Sequence, residues 1–196
     1  MKGQHKPVEN ALYIQLWAKR IRVTDIGTGG IVDEAPLLAV QVSKNRRKVV
    51  AWGNRASSVP GHGVEVINPF LHPRSLLVEP EVAQKLLALI FARLGGGGLL
   101  PPSPLVVIQP MEKNEGGLTV VELLGFEHLC LRAGARKVYV YQGPELTRHT
   151  FDLDKVVAAS PRPASDGEGG GSSRTQWIWI LIWFAIIAAT MIAQHF

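Results

Sequence analysis

The chain has 196 residues, of which 46% are hydrophobic and 19% are charged, so a disordered chain is excluded and one folded domain with an appendage is expected. The formal net charge is +5 at pH 7. Lys44–Lys48 forms the one basic cluster, which we interpret as a solvated turn or a contact with anionic lipid headgroups rather than a nucleic-acid site. The single cysteine, Cys130, excludes an internal disulfide and a zinc site built from cysteines.

The chain begins with a polar stretch and continues as a run of strands. Residues 1–10 lack an apolar run long enough for a signal peptide and are predicted to be a flexible N-terminus, followed by a folded domain over 11–150. Alternating apolar residues predict the first strands of this domain, over 12–24 with a break near 17–19, over 31–42 and over 47–52.

The stretch TDIGTGG, residues 24–30, admits two interpretations. An acidic residue followed by Gly-Thr and further glycine is typical of the phosphate loops of actin-like and sugar-kinase-like ATPases, where glycine lets backbone N–H groups approach phosphate. Asp and Gly are also ordinary turn residues. Asp25–Gly30 is therefore either a phosphate loop or the turn of a hairpin.

Helices and buried strands follow in the second part of the domain. Residues 80–94 predict a helix with Pro80 in its first turn and a buried face of Val82, Leu86, Leu89, Ile90 and Phe91. A second helix is predicted over 118–132, with Val120 among its core residues. Apolar runs at 105–109 and 137–142 predict strands, so the fold class is α/β with a mixed sheet and flanking helices.

Other candidate chemistry is weak. The four histidines His62, His72, His128 and His149 do not share metal-ligand spacing. Glu112 and Glu115 lie in a polar loop and are expected to be solvated. We therefore predict no catalytic residue, no cofactor and no metal site.

The C-terminal part predicts a tether and a membrane anchor. Residues 151–176 are rich in Pro, Gly and Ser and are predicted to be a flexible linker. Residues 177–196 include a long run without charge and are predicted to span a lipid bilayer as a single transmembrane helix. The proposed anchor residues are Trp177, Trp179, Trp183, Phe184 and Ile187, with the tryptophans at the interface. The flanking charges favour a tail anchor with the N-terminal domain in the cytoplasm.

Several segments of the domain together resemble the N-terminal half of the MreB-type bacterial actins, the rod shape-determining family. They are, in chain order, EAPLLAVQ, KVVAWGNRA, VINPFLHPRSLL, LVVIQP and LRAGARKVYVYQGPE. The resemblance implies an actin-like ATPase fold, whose first half is a ribonuclease-H-like sheet with helices. It also implies relatives that bind ATP with magnesium and form filaments beneath the membrane.

The same resemblance favours the turn interpretation of Asp25–Gly30. Counting back from Glu34-Ala35-Pro36, the first phosphate loop of the family falls near Gln15-Leu16-Trp17-Ala18. Gln15 has no charge to position a metal-bound water, and Trp17 has a large side chain where glycine would let the backbone reach phosphate. The second half of the family's nucleotide clamp has no counterpart in the sequence.

The sequence therefore predicts a truncated, catalytically inactive actin-like adaptor or scaffold on the bacterial cytoplasmic membrane. The expected partners are the lipid bilayer and proteins, namely an actin-like filament, cell-wall elongation proteins or a second copy of the chain, and no nucleic acid. The alternative is a nucleotide-binding switch whose ATP site, through Asp25–Gly30, is completed by a partner chain.

Overall fold

Two β-sheets and three α-helices form the part of the chain that the computed structural model describes, which is residues 10–44, 46–72, 75–95 and 103–161 and the backbone of 165–166. The strands are β1 (Ala11–Leu16), β2 (Ile21–Asp25), β3 (Ile31–Glu34), β4 (Leu38–Ser43), β5 (Arg46–Trp52), β6 (Val64–Ile67), β7 (Leu105–Pro110), β8 (Lys137–Val140) and β9 (Ser165–Asp166). The helices are α1 (Pro80–Leu94), α2 (Val120–Arg132) and α3 (Leu153–Ala159), with a 3-10 helix over Gly53–Ser58. The predicted mixed α/β architecture is confirmed.

The larger sheet has six strands in the order β3-β2-β1-β7-β8-β9. β1, β7 and β8 run parallel, whereas β2 and β3 join β1 as an antiparallel meander. The predicted break near 17–19 is confirmed as the turn between β1 and β2. β1 and β7 are buried at every position because both faces of the sheet are covered, and their nearly continuous apolar sequences reflect this.

One face of this sheet packs against α1 and α2 and forms the main core. α1 has Pro80 in its first turn and buries Ala83, Leu86, Leu87, Ile90 and Phe91. α2 begins after a capping box in which Thr119 and Glu122 satisfy each other's backbone N–H groups. The prediction that Val120 is a core residue is wrong: it occupies the first turn of α2 and is 65% exposed.

The opposite face is covered by residues 141–159, which we call the closing segment. Tyr13 and Val107 point to this face and pack with Tyr141, Phe151 and Val156 of the closing segment. The folded part therefore continues past residue 150, where the linker was predicted to start, because Phe151 and Val156 contribute buried apolar side chains to the second core. β9 extends the sheet beyond that by pairing with β8.

The smaller sheet has three antiparallel strands in the order β5-β4-β6. Leu38 and Ala39 at the start of β4 are fully buried, whereas Gln41–Ser43 and the facing residues Arg46–Lys48 of β5 are exposed. The β4–β5 hairpin thus runs from the core outward to a solvent-exposed end.

The predicted transmembrane anchor, residues 177–196, lies outside the described residues. Of the helices in the described part, none combines the length and apolar character needed to cross a membrane.

Candidate functional site

The carboxyl ends of β1, β7 and β8 define the candidate site. Open α/β sheets bind ligands outside the carboxyl ends of their strands, in the crevice that these ends leave. The parallel register pairs Gln15 of β1 with Gln109 of β7, so two glutamines stand side by side where both strands end. Both are buried, at 2% and 5% exposure.

A hydrogen-bond network connects these glutamines to the closing segment. Gln15 Nε2 donates to Glu145 Oε1 over 2.7 Å, and Gln109 Nε2 donates to the Gly143 carbonyl over 2.6 Å. The Tyr13 hydroxyl donates to Gln109 Oε1 and accepts from the Leu146 N–H. Polar side chains at two strand ends are thereby satisfied by the chain itself.

Tyr13 is the most strongly perturbed titratable group of this network. Its side chain is almost fully buried, and this burial raises the pKa of Tyr13 to about 12. The nearby Glu145 carboxylate adds to the rise because it disfavours a second negative charge. Tyr13 is therefore neutral at physiological pH and acts as a hydrogen-bond donor.

The turn between β1 and β2 lies at the same strand ends, directly after the last residue of β1. The Ala18 N–H donates to Glu112 Oε1 over 2.7 Å, and the Ala18 carbonyl accepts from Asn68 Nδ2 over 2.8 Å. The Trp17 N–H donates to the Arg20 carbonyl over 2.9 Å. In a phosphate loop, backbone N–H groups point at the anion. Here the Ala18 N–H already donates to a carboxylate of the chain itself, that of Glu112.

Side chains fix the outer side of this turn. The Arg20 guanidinium lies 5.1 Å from the centre of the Trp17 ring and donates to both carboxylate oxygens of Asp33 over 2.7 and 2.5 Å. The hydrogen bond from Arg20 holds the pKa of Asp33 below its usual value. The turn is thus tied to β3 as well as to the loops after β6 and β7.

Asp25–Gly30 lies at the other end of the strands, next to the amino end of β1. Ile26 N–H donates to the carbonyl of Ala11, the first residue of β1, so the turn lies about one six-residue strand, or ~17 Å, from the carboxyl ends. Asp25 Oδ1 accepts from the Thr28 N–H over 3.0 Å, and Gly29 adopts φ +81°. β2 and β3 pair on either side of it. The prediction that this stretch is a hairpin turn is confirmed.

Arg148 of the closing segment binds this turn. Its Nε donates to the Ile26 carbonyl over 3.0 Å and its Nη2 to the Gly27 carbonyl over 2.7 Å. A Cβ added at Gly29 would lie 2.6 Å from Arg148 Nη1, so the absent side chain makes room for the guanidinium. The closing segment is therefore attached at both ends of β1. Glu145 holds it at the carboxyl end of this strand, and Arg148 holds it at the turn beside the amino end.

The structure changes the interpretation of some predicted residues and adds others. The prediction that Glu112 is solvated is wrong, because its half-buried carboxylate accepts from Ala18, whereas Glu115 is exposed. Tyr13, Gln109 and Glu145 were not singled out from the sequence; the signal was a Tyr and two Gln in otherwise apolar buried strands. Within the described ranges, no three His, Cys, Asp or Glu side chains could together hold a metal ion. The predicted anchor residues lie outside these ranges.

Comparison with solved structures shows that about two-thirds of the chain adopts part of an actin-like fold. Two of the matched structures are crystal structures of MreB5 of Spiroplasma citri. The one bound to AMPPNP has a TM-score of 0.52 and 21% sequence identity over 66% of this chain and 37% of that chain. The one bound to ADP has a TM-score of 0.51 and 21% identity over 68% and 39%. The matched region thus spans less than two-fifths of the length of MreB5. No family model and no curated protein matches the chain.

Proposed function

We propose that this chain is a catalytically inactive, MreB-related adaptor that is tethered to the cytoplasmic face of a bacterial membrane. The observation that carries the proposal is the end of β1 and the turn that follows it, where Gln15 is bound by Glu145 and the Ala18 N–H is bound by Glu112. This is the position that the family resemblance assigns to the first phosphate loop.

The chemistry of this position disfavours phosphate. A phosphate group would have to displace the Glu112 carboxylate from Ala18 and would stand near a second carboxylate, that of Glu145, and like charges at such distances repel. Gln15 offers an amide where a metal-bound water needs a carboxylate, and that amide is already engaged. We infer that the carboxyl ends of these strands are closed by structural hydrogen bonds and do not form a nucleotide site.

The adaptor role rests on the anchor and on the fold. A membrane anchor at 177–196 would hold the domain at a high effective concentration beside filaments or enzymes at the same membrane. The proposed partners are an actin-like filament, cell-wall elongation proteins or a second copy of this chain. In this mechanism the domain supplies a binding surface and performs no chemistry.

Nucleotide titration of the detergent-solubilised full chain tests the inactive state. We expect no saturable heat of binding with ATP or ADP at millimolar magnesium. Saturable binding would contradict the proposal. The competing switch, with Asp25–Gly30 as a phosphate loop, predicts that ATP raises the melting temperature and that Asp25→Ala abolishes this increment. Asp154→Ala, which alters an exposed acid on α3, serves as the control.

Crosslinking and pull-down from membranes, with and without ATP, test the adaptor role. We expect the anchored chain to enrich an actin-like protein, an elongation protein or itself over an unrelated tail-anchored control. A chain that crosslinks to nothing above that control would contradict the adaptor role while leaving the nucleotide result unaffected.

A further inference from the structure

The net charge of the chain is concentrated in one part of the fold. Residues 35–64 carry five Lys or Arg side chains and no Asp or Glu, which equals the net charge of +5 of the whole chain. The remaining residues carry sixteen side chains of each sign. These thirty residues form β4, β5, the 3-10 helix and the first residue of β6. With Glu65 of β6 included, the smaller sheet and its loops carry five cations and one carboxylate, so most of the surplus positive charge lies in this part of the fold.

Four of the five cations lie at the outer end of the β4–β5 hairpin. All four are exposed, and two valines beside them, at 44% and 41% exposure, are exposed as well. Arg47 pairs with Glu65 of β6 at 2.9 Å, whereas Lys44, Arg46 and Lys48 form no ion pair with any described residue. We call this surface the basic hairpin; it consists of Val42, Lys44, Arg46, Arg47, Lys48 and Val50.

We propose that the basic hairpin is a contact site for anionic phospholipid headgroups, separate from the predicted anchor. Cations interleaved with exposed apolar side chains suit the membrane interface, where phosphates bind the cations and the apolar groups enter the headgroup region. Nucleic acid is disfavoured because single strands are held by exposed aromatic side chains. The one aromatic residue of this region, Trp52, is half-buried beneath Arg93, 5.6 Å from the ring centre.

The inference deepens the proposed function and rests on it for the domain's location at a membrane. The anchor alone would leave the domain free to rotate on its tether. A basic hairpin at the bilayer would fix which surface faces the lipid and which faces the cytoplasm. Each cation near an anionic surface strengthens such a contact about fivefold, and the attraction falls off over a screening length of about 8 Å at physiological salt.

A fluorescent probe on the hairpin tests the contact in the full chain. Cys130 is fully buried, so a single introduced cysteine at the exposed, uncharged Ser43 can be labelled selectively. The labelled chain is reconstituted in nanodiscs of phosphatidylcholine alone or with about one-third phosphatidylglycerol, the range in which surface charge attracts basic segments. We expect a blue shift and quenching by doxyl-labelled lipid in the anionic discs only, reversed by high salt.

Matched variants decide between this contact and the alternatives. Lys44→Gln, Arg46→Gln, Arg47→Gln and Lys48→Gln together should abolish the quenching. The control combines Lys19→Gln, Lys85→Gln, Arg132→Gln and Arg136→Gln, which removes four exposed cations elsewhere and should leave it unchanged. Equal quenching in neutral discs, or loss in the control as well, would overturn the inference. A response to an oligonucleotide at physiological salt without one to anionic lipid would overturn it in favour of nucleic acid.

Failure of the tether is distinguishable from failure of the hairpin contact. Flotation with neutral vesicles depends on the anchor alone, so a chain that does not float contradicts the proposed tether. A chain that floats but shows no anionic-lipid response contradicts only the hairpin contact.

Discussion

Gln15 and Glu145 join the end of the first strand to a loop 130 residues further along the chain, through a hydrogen bond of 2.7 Å. The contact lies at the carboxyl ends of the strands, where open α/β sheets bind their ligands. Because Gln15 is buried and neutral, its amide donor needs a partner within the chain. Glu145 supplies that partner, and the closing segment is thereby attached to the sheet at a position that a ligand would otherwise reach.

Truncation of Gln15 should therefore destabilise the fold. We expect Gln15→Ala to lower the free energy of unfolding by about 2 kcal/mol, because a buried side chain and its hydrogen bond are lost together. Gln41→Ala, at an exposed position of β4, should change it by less than about 0.5 kcal/mol. Urea denaturation of the full chain in detergent measures both. Equal effects of the two substitutions would contradict a structural role of the Gln15–Glu145 bond.

The raised pKa of Tyr13 predicts a loss of stability at alkaline pH. The unfolded side chain has a pKa of 10.0, whereas burial raises the folded value to about 12. Below pH 10 both states are protonated and the stabilising effect of the neutral hydroxyl is fully present. Between pH 10 and 12 the unfolded state loses its proton first, so stability falls as the pH rises.

Tyr13→Phe isolates this contribution. The substitution removes the titrating hydroxyl and its two hydrogen bonds, so the variant should be less stable at pH 8 but lose less stability between pH 10 and 12 than the wild type. Tyr139→Phe removes a hydroxyl from the same sheet face and controls for general alkaline effects. Parallel pH curves for wild type and Tyr13→Phe would contradict the assignment.

Local sequence patterns predict the two long helices and the central strands, whereas the contacts that connect the elements depend on residues far apart in the chain. The helix predicted over 80–94 matches α1 because apolar spacing and Pro80 are local signals. The polar neighbours of Glu112 predict a solvated side chain, yet its partner Ala18 lies 94 residues away in the sequence. α3, β6 and β9 have no counterpart among the predicted elements, because a seven-residue helix and strands of four and two residues carry too little periodicity. The prediction of one strand over 31–42 is wrong: the chain leaves the first sheet around Pro36, so β3 and β4 belong to different sheets.

The predicted anchor can be tested through its apolar character. Phe184→Arg combined with Ile187→Arg should release the chain from the membrane fraction into the soluble fraction, because each charge at the centre of a spanning helix costs about 3 kcal/mol. Val120→Arg combined with Val121→Arg changes two highly exposed valines of the folded domain and should leave the chain in the membrane fraction. Retention of the Phe184 and Ile187 variant after alkaline carbonate washing would contradict a transmembrane anchor.

The two adjacent glycines of the Asp25–Gly30 turn should respond differently to substitution. Gly29 has φ +81°, and a Cβ there would lie 2.6 Å from Arg148 Nη1, so Gly29→Ala should cost about 2 kcal/mol. A Cβ at Gly30 would meet Leu94 and Thr28 at an ordinary 3.4 Å, so Gly30→Ala should change stability by less than about 1 kcal/mol. Urea denaturation compares the two variants. Equal costs would contradict the described geometry of the turn.

A double-mutant cycle then separates backbone strain from the contact with Arg148. Arg148→Ala alone should cost about 1 kcal/mol, because two carbonyls of the turn exchange the guanidinium for water. In the absence of Arg148, Gly29→Ala retains its backbone strain but no longer displaces a side chain. The double variant should therefore be more stable than the sum of the single effects predicts, by about 0.5–1 kcal/mol. Strict additivity would mean that Gly29 is required for its backbone conformation alone, and that the Arg148 side chain does not depend on the missing Cβ for its place on the turn.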